Sequence, residues 1–140
     1  DLWDAGDVAN VAPQGTASAS STEQNLARLA PKFVNDDDQG TRWASGYSDS
    51  EWVQVKLAQP TVVRAVTVSW ESACANAYRI ETSTDGTTWT TLKSVSDSSC
   101  ALDVYTFDAG SPVQYVRMQG VQRKTTWGYS VYELGVYAGS

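Results

Sequence analysis

The run "NDDDQGTRW", Asn35 to Trp43, packs three carboxylates, a hydroxyl, a guanidinium and an indole into nine residues. Asp36, Asp38 and Thr41 are hard oxygen donors, and Gly40 lets the loop turn. Ca²⁺ takes about 6–8 such oxygens, often including backbone carbonyls. The spacing is not that of an EF-hand, and no Glu closes the run. On residue types alone the run reads first as a solvated acidic turn. A cation loop needs a distant acid to complete the shell. Glu133, flanked by Tyr132 and Leu134 in an otherwise apolar strand, is the acid available.

Other side chains could recognise hydroxyls. Arg42 and Trp43 alternate in direction in an extended chain, so a Trp43 packed under the loop aims Arg42 outward. Its planar fork then donates to adjacent hydroxyls or pairs with a neighbouring Asp. Glu71, directly after Trp70 at a strand end, can accept from hydroxyls, pair with an amine, or be an ordinary loop acid. Tyr47, in "SGYSDS", can present a ring or a hydroxyl. Trp127, in "RKTTWGYS", stands in a Gly-containing loop, poorly placed for a core and well placed for the apolar CH face of a sugar. Such a contact gives about 1–3 kcal/mol by area. The competing role is a lid over the end of the fold. Tyr129 either joins Trp127 or anchors its loop.

Several chemistries are excluded. The chain has no His, which removes Ser-His-Asp and Cys-His arrangements and makes zinc unexpected. Phosphate-cradling Gly-rich loops are absent. Paired carboxylates can hydrolyse glycosides, but short strands offer loop ends rather than a deep cleft that raises one carboxyl pKa. A net charge of −6 speaks against nucleic acid and anionic membranes. No apolar run is long enough to span a bilayer. Six Trp and seven Tyr against two Phe favour rings with a polar handle, useful where one face is buried and the other meets a ligand.

The elements that must position these groups read as mostly β. "EWVQVKL" puts Val53, Val55 and Leu57 on one face, with Gln54 and Lys56 on the other. "VVRAVTVSW" aligns Val66, Val68 and Trp70; "VQYVRM" aligns Val116 and Met118; "VYELGVY" aligns Tyr132, Leu134 and Val136. "YRIETSTDGTTWTTL" predicts a hairpin turning at Asp85–Gly86. Ser20 three residues before Glu23, then Leu26, Leu29 and Pro31, predict one short capped helix. Residues 1–12 read as a leader in which Leu2 and Trp3 can tuck against the body, and 13–140 as one domain. Cys74 and Cys100 lack metal or redox spacing. A disulfide in an oxidising compartment, stabilising by roughly 3 kcal/mol, is preferred over two buried thiols.

Five pieces in order, "DDDQGTRWAS", "EWVQVKL", "VSWESACANAYRIETSTDGTTW", "YVRMQG" and "TTWGYSVYELGVY", resemble the discoidin, or coagulation-factor C-terminal-type, domains. More narrowly the chain resembles carbohydrate-binding module family 32, from about Pro13 to Gly139. The resemblance implies an all-β jelly-roll sandwich of two antiparallel sheets, a structural Ca²⁺ and a sugar site on the loops at one end. Its metal pattern falls on Asp36, Asp38 and Thr41, joined by the Phe33 carbonyl and by Glu133 with the Tyr132 carbonyl. Asp37 stands where the family usually has Gly, at a position wanting a positive φ.

The resemblance also marks Trp127 as the stacking platform, and Glu23 resembles a glutamate of amino-sugar-recognising members. The implied function is a non-catalytic module targeting a secreted, bacterial, extracellular polysaccharide-degrading enzyme to its polymer. It would act as a monomer joined to the catalytic domain in cis. Glu23, Arg42 and Glu71 point to a gluco-configured β-glycan such as β-1,3-glucan or chitosan. Galactose-binding members commonly use a His, which is missing here. The alternatives are galactose binding, an adhesion or lipid-binding discoidin domain, and a small glycosidase.

Overall fold

The alternating segments form strands whose apolar faces meet. The computed structural model describes residues 9–108 and 110–138. Leu2 and Trp3 lie outside the described residues. In one sheet, β1 (Ala9–Asn10) pairs with β10 (Ser130–Ala138), which pairs with β5 (Val63–Trp70), then β8 (Leu102–Thr106). The short β3 (Trp43–Ala44) pairs with the start of β10. The other sheet runs β2 (Thr16–Ala19), β4 (Trp52–Thr61), β9 (Val113–Arg123), β6 (Ala75–Ser83) and β7 (Thr90–Val95). Every pairing is antiparallel. The result is the expected jelly-roll β-sandwich. Its core is Val53, Val55, Leu57, Tyr78, Ile80, Val116 and Met118 from one sheet against Val66, Val68, Trp70, Leu134 and Val136 from the other.

Three expectations need correction. The segment from Ser20 to Pro31 is not an α-helix but a string of 3-10 turns, Glu23–Asn25, Ala27–Leu29 and Pro31–Asn35. Gln24 and Asn25 take positive φ of 50° and 54°, which no helix tolerates. Ser20 has no capping box to close: its hydroxyl donates to Glu51 Oε1 at 2.6 Å. Residues 9–12, expected in the leader, belong to the folded body. Ala9 and Asn10 pair with Ala138 and Tyr137, and Ala12 is fully buried. Tyr132 is absent from the core. A β-bulge between Val131 and Glu133 inserts one residue into β10, so Val131 takes the inward place and Tyr132 stays half-buried. Glu133, only 7% exposed, lies on the outer side of its sheet, as its place beside the inward Leu134 requires.

The predicted hairpin joins β6 to β7 around Gly86, at φ +82°. Asp85 accepts from the N–H groups of Thr87 and Thr88, both at 2.9 Å, which holds its carboxyl below the usual range. A Cβ at Gly86 would stand 2.9 Å from the Tyr115 ring, so the turn needs glycine for both conformation and space.

Behind the loops at the β5 end lies a buried acid. Asp103 accepts from Tyr78 Oη at 2.6 Å, Trp70 Nε1 at 3.1 Å, Ser98 Oγ at 2.9 Å, and the Ser99 hydroxyl and N–H at 2.6 and 3.1 Å. Burial opposes its ionised form, but the donors of Ser99, Tyr78 and Ser98 outweigh burial and lower its pKa. The Cys74–Cys100 disulfide, Cα–Cα 5.5 Å, ties the same loop to the segment after Trp70. Asp103→Ala strands the indole and phenol donors and is expected to lower stability by about 2–5 kcal/mol in urea unfolding. The carboxylate's own contribution is present above its ordinary pKa of 3.8 and fades as pH falls through the lower folded value.

Candidate functional site

The pleat that buries an indole exposes its neighbour. Trp43 is fully buried, and its Nε1 donates to Ser21 O at 2.9 Å, two residues before Glu23. Arg42 therefore leaves the sandwich end, and its Nη1 donates to Ser130 Oγ at 2.6 Å. Trp70 is likewise buried at the end of β5, and Glu71 is the first residue beyond it. The Glu71 N–H donates to Ser130 O at 3.0 Å, and Ser130 N–H donates to Ala73 O at 2.8 Å. The Glu71 carboxylate accepts from Ala73 N–H and Ser72 Oγ, both at 3.0 Å, and is held at the rim.

These groups converge. Glu23, Arg42, Glu71, Ser72, Trp127 and Ser130 line one open cleft of about 270 Å³. Four residues singled out from sequence thus meet, from positions more than 100 residues apart. Ser72 and Ser130 were missed, because serine types in loops carry no signal of their own. Ser130 is the more consequential, since its three polar groups join Arg42, Glu71 and Ala73. The ion pairs among the described residues are Arg79–Glu81 and Arg123–Asp49, so Arg42 is oriented by a hydroxyl and not neutralised by a bridge. With Glu23 and Glu71 against Arg42, the cleft lining carries an excess of negative charge.

Trp127 is 58% exposed and Tyr47 48% exposed, and their rings meet edge to face with centroids 6.0 Å apart. Together they form an aromatic corner beside the cleft. Tyr129, the other candidate in that loop, is not part of it. It is fully buried, packs 6.2 Å from Trp70, and donates through Oη to Asp49 O at 2.6 Å. Burial pushes its phenol up. Gly120 makes room for it, since a Cβ there would lie 2.2 Å from the ring. The chain is irregular between Trp127 and Ser130, where β10 begins, so strand periodicity does not put the two rings on one face.

The acidic loop is a separate structure. The five-residue turn Pro31–Asn35, which carries Phe33, packs against β10. Asp37 adopts φ +58°, the conformation the missing glycine implied. The Thr41 hydroxyl donates to Asp36 Oδ2, and Asp38 Oδ1 accepts from Gly40 N–H at 2.7 Å. Glu133 reaches this loop from the bulged strand. Its Oε2 is buried without a partner. Burial, then the nearby Asp36 charge, push its carboxyl up to about 8. A buried carboxylate oxygen facing a second carboxylate lacks a counter-charge, and these residues fit a hard divalent cation. No three His, Cys, Asp or Glu side chains converge among the described residues, so such an ion would draw its other oxygens from carbonyls and Thr41.

Comparison with known proteins follows the same lines. The F5/8 type C domain family matches residues 14–134. No curated protein sequence matches. Among solved structures, chitosan-binding module 1 of a chitosanase/glucanase from Paenibacillus sp. IK-5 is 37% identical over 93% of this chain and 99% of its own, with TM-score 0.87. Module 2 of the same enzyme, in complex with chitotriose, is 34% identical over 92% and 100%, also at 0.87. The family 32 module of C. perfringens NanJ, in complex with galactose, shares the fold at 19% identity over 93% and 98%, TM-score 0.79.

Trp127→Ala is expected to leave the melting temperature within about 2 °C of the parent, as an exposed site should. Tyr129→Ala, which empties core volume, is expected to cost about 3–5 kcal/mol in the same unfolding assay.

Proposed function

The chain belongs to the F5/8 type C domain family, and from that premise we propose that it is a non-catalytic carbohydrate-binding module whose ligand is a gluco-configured β-glycan, chitosan foremost. The observation that carries this is the meeting of Glu23, Glu71 and Arg42 beside an exposed indole in one cleft. Each group has a separate task. Trp127 offers an apolar plane to the CH face of a sugar ring. The Arg42 fork, aimed by Ser130, donates to vicinal hydroxyls. The Glu23 and Glu71 carboxylates accept from hydroxyls or from the ammonium groups of a glucosamine polymer. Their excess over Arg42 favours the cationic polymer over its neutral relatives.

Similarity to two chitosan-binding modules supports the same reading. β-1,3-Glucan fits the hydroxyl contacts but leaves the second carboxylate without a cationic partner. The module would belong to a secreted, extracellular bacterial polysaccharide-degrading enzyme. There it would hold the catalytic domain near its polymer and raise the effective substrate concentration. Ca²⁺ is the cation this reading assigns to the acidic loop. The side chains of Asp36, Thr41 and Glu133 would hold it, with the Phe33, Asp38 and Tyr132 carbonyls. Its part is to brace the loop that leads into Arg42.

Affinity electrophoresis against chitosan, chitin, β-1,3-glucan and galactan tests the ligand. Chitosan is expected to retard the chain most, and galactan to leave its mobility unchanged. Retention by galactan alone would overturn the assignment. Raising NaCl from about 0.05 to about 0.5 M should weaken chitosan binding by screening the carboxylates. Trp127→Ala should lose about 1–3 kcal/mol of binding, roughly five- to 150-fold. Chelation of a calcium-loaded sample should lower the melting temperature and change sugar affinity less; an unchanged melting curve would remove the cation.

A further inference from the structure

The aromatic corner is built from two separate loops, and one pair of side chains ties them together. Tyr47 lies between Gly46, whose N–H donates to Ser21 Oγ at 2.8 Å, and Asp49. Trp127 lies between Thr126 and the buried Tyr129. Asp49 Oδ1 accepts from both the N–H and Nε of Arg123, at 3.0 and 2.9 Å. The Arg123 Nη1 then donates to Thr126 O at 3.4 Å, next to Trp127. One guanidinium thus touches the loop of each exposed ring. Neither Asp49 nor Arg123 lines the cleft. Both remain open to solvent, with side chains 55% and 24% exposed, so as an ion pair they contribute little to global stability.

We infer that Asp49 and Arg123 are positioning residues that clasp Tyr47 against Trp127 and so pre-form the aromatic wall of the cleft. This rests on the carbohydrate reading for its effect on affinity, though not for its effect on the rings. The physical reason is entropic. A platform that must be ordered on binding loses affinity, and one already held does not. The clasp is also separable from the fold. The Tyr129 hydroxyl bond goes to the Asp49 backbone carbonyl, so it survives any change of the Asp49 side chain.

The test measures affinity for the glucosamine trisaccharide by calorimetry, the Tyr47–Trp127 ring contact by nuclear Overhauser effects without ligand, and thermal melting. Asp49→Asn and Arg123→Gln are each expected to raise Kd about five-fold, to weaken the ring contact and to leave the melting temperature within about 2 °C. The double variant should bind no worse than either single one, because one clasp can be lost only once. Arg123→Lys keeps the charge but loses the fork, and should fall between parent and Arg123→Gln. Unchanged affinity and ring contact in both single variants would overturn the inference. Additive losses, or unfolding of both singles, would do the same. If the parent chain fails to bind the trisaccharide while the variants still lose the ring contact, the clasp stands and the carbohydrate reading falls.

Discussion

Two buried indole N–H groups anchor the binding end of this sandwich. Trp43 donates to the carbonyl of Ser21, and Trp70 donates to Asp103. A buried indole needs a partner for its single donor, so each ring fixes a loop as well as filling core volume. Their chain neighbours, Arg42 and Glu71, inherit that rigidity. Two of the three charged groups that line the cleft are thus one residue from a buried, hydrogen-bonded indole, and Ser130 links them across the gap. The cleft is therefore set by where the core ends, with little left to the loops themselves.

The same economy explains what the sequence made legible. Strict alternation in β4, β5 and β9 names the inward residues correctly, because a period of two leaves no choice once one face is buried. It also turns Arg42 away from the core when Trp43 is buried, whereas Trp127 and Tyr129, two apart in an irregular loop, part company in a way no period describes. Alternation misleads where an extra residue enters. The bulge at Tyr132 shifts the inward set, and nothing in "VYELGVY" marks it. The stretch from Ser20 to Pro31 carries a helix-start spacing, but Glu51 competes successfully for Ser20 and Ser21 from a distance. That competition is tertiary, and local patterns cannot reveal it. Asn10 and Ala12 were undervalued for the same reason, since a two-residue strand has no period to read.

The acidic loop and the cleft stand in a simple electrical relation. Asp36 and Glu133 crowd negative charge on one side of β10, while Arg42 emerges next to Thr41 on the way to the cleft. A divalent ion between the carboxylates would remove their repulsion and stiffen the backbone on which Arg42 is mounted. Cation and sugar would then share a peptide segment without sharing a ligand atom.

The pairing of Ala9 with Ala138 has a mechanical consequence. Ala9 and Ala138 lie side by side at one pole, and the cleft lies at the other, where β10 begins. The distance between the poles is the length of β10, about 25 Å. Tension between a ligand in the cleft and the Ala9–Ala138 pair would therefore run lengthwise down the strands. Hydrogen bonds loaded that way resist together in shear, whereas a pull separating the two ends of the chain from each other would open the β1–β10 pair one bond at a time. The architecture resists a load applied between its two poles better than one that draws Ala9 away from Ala138.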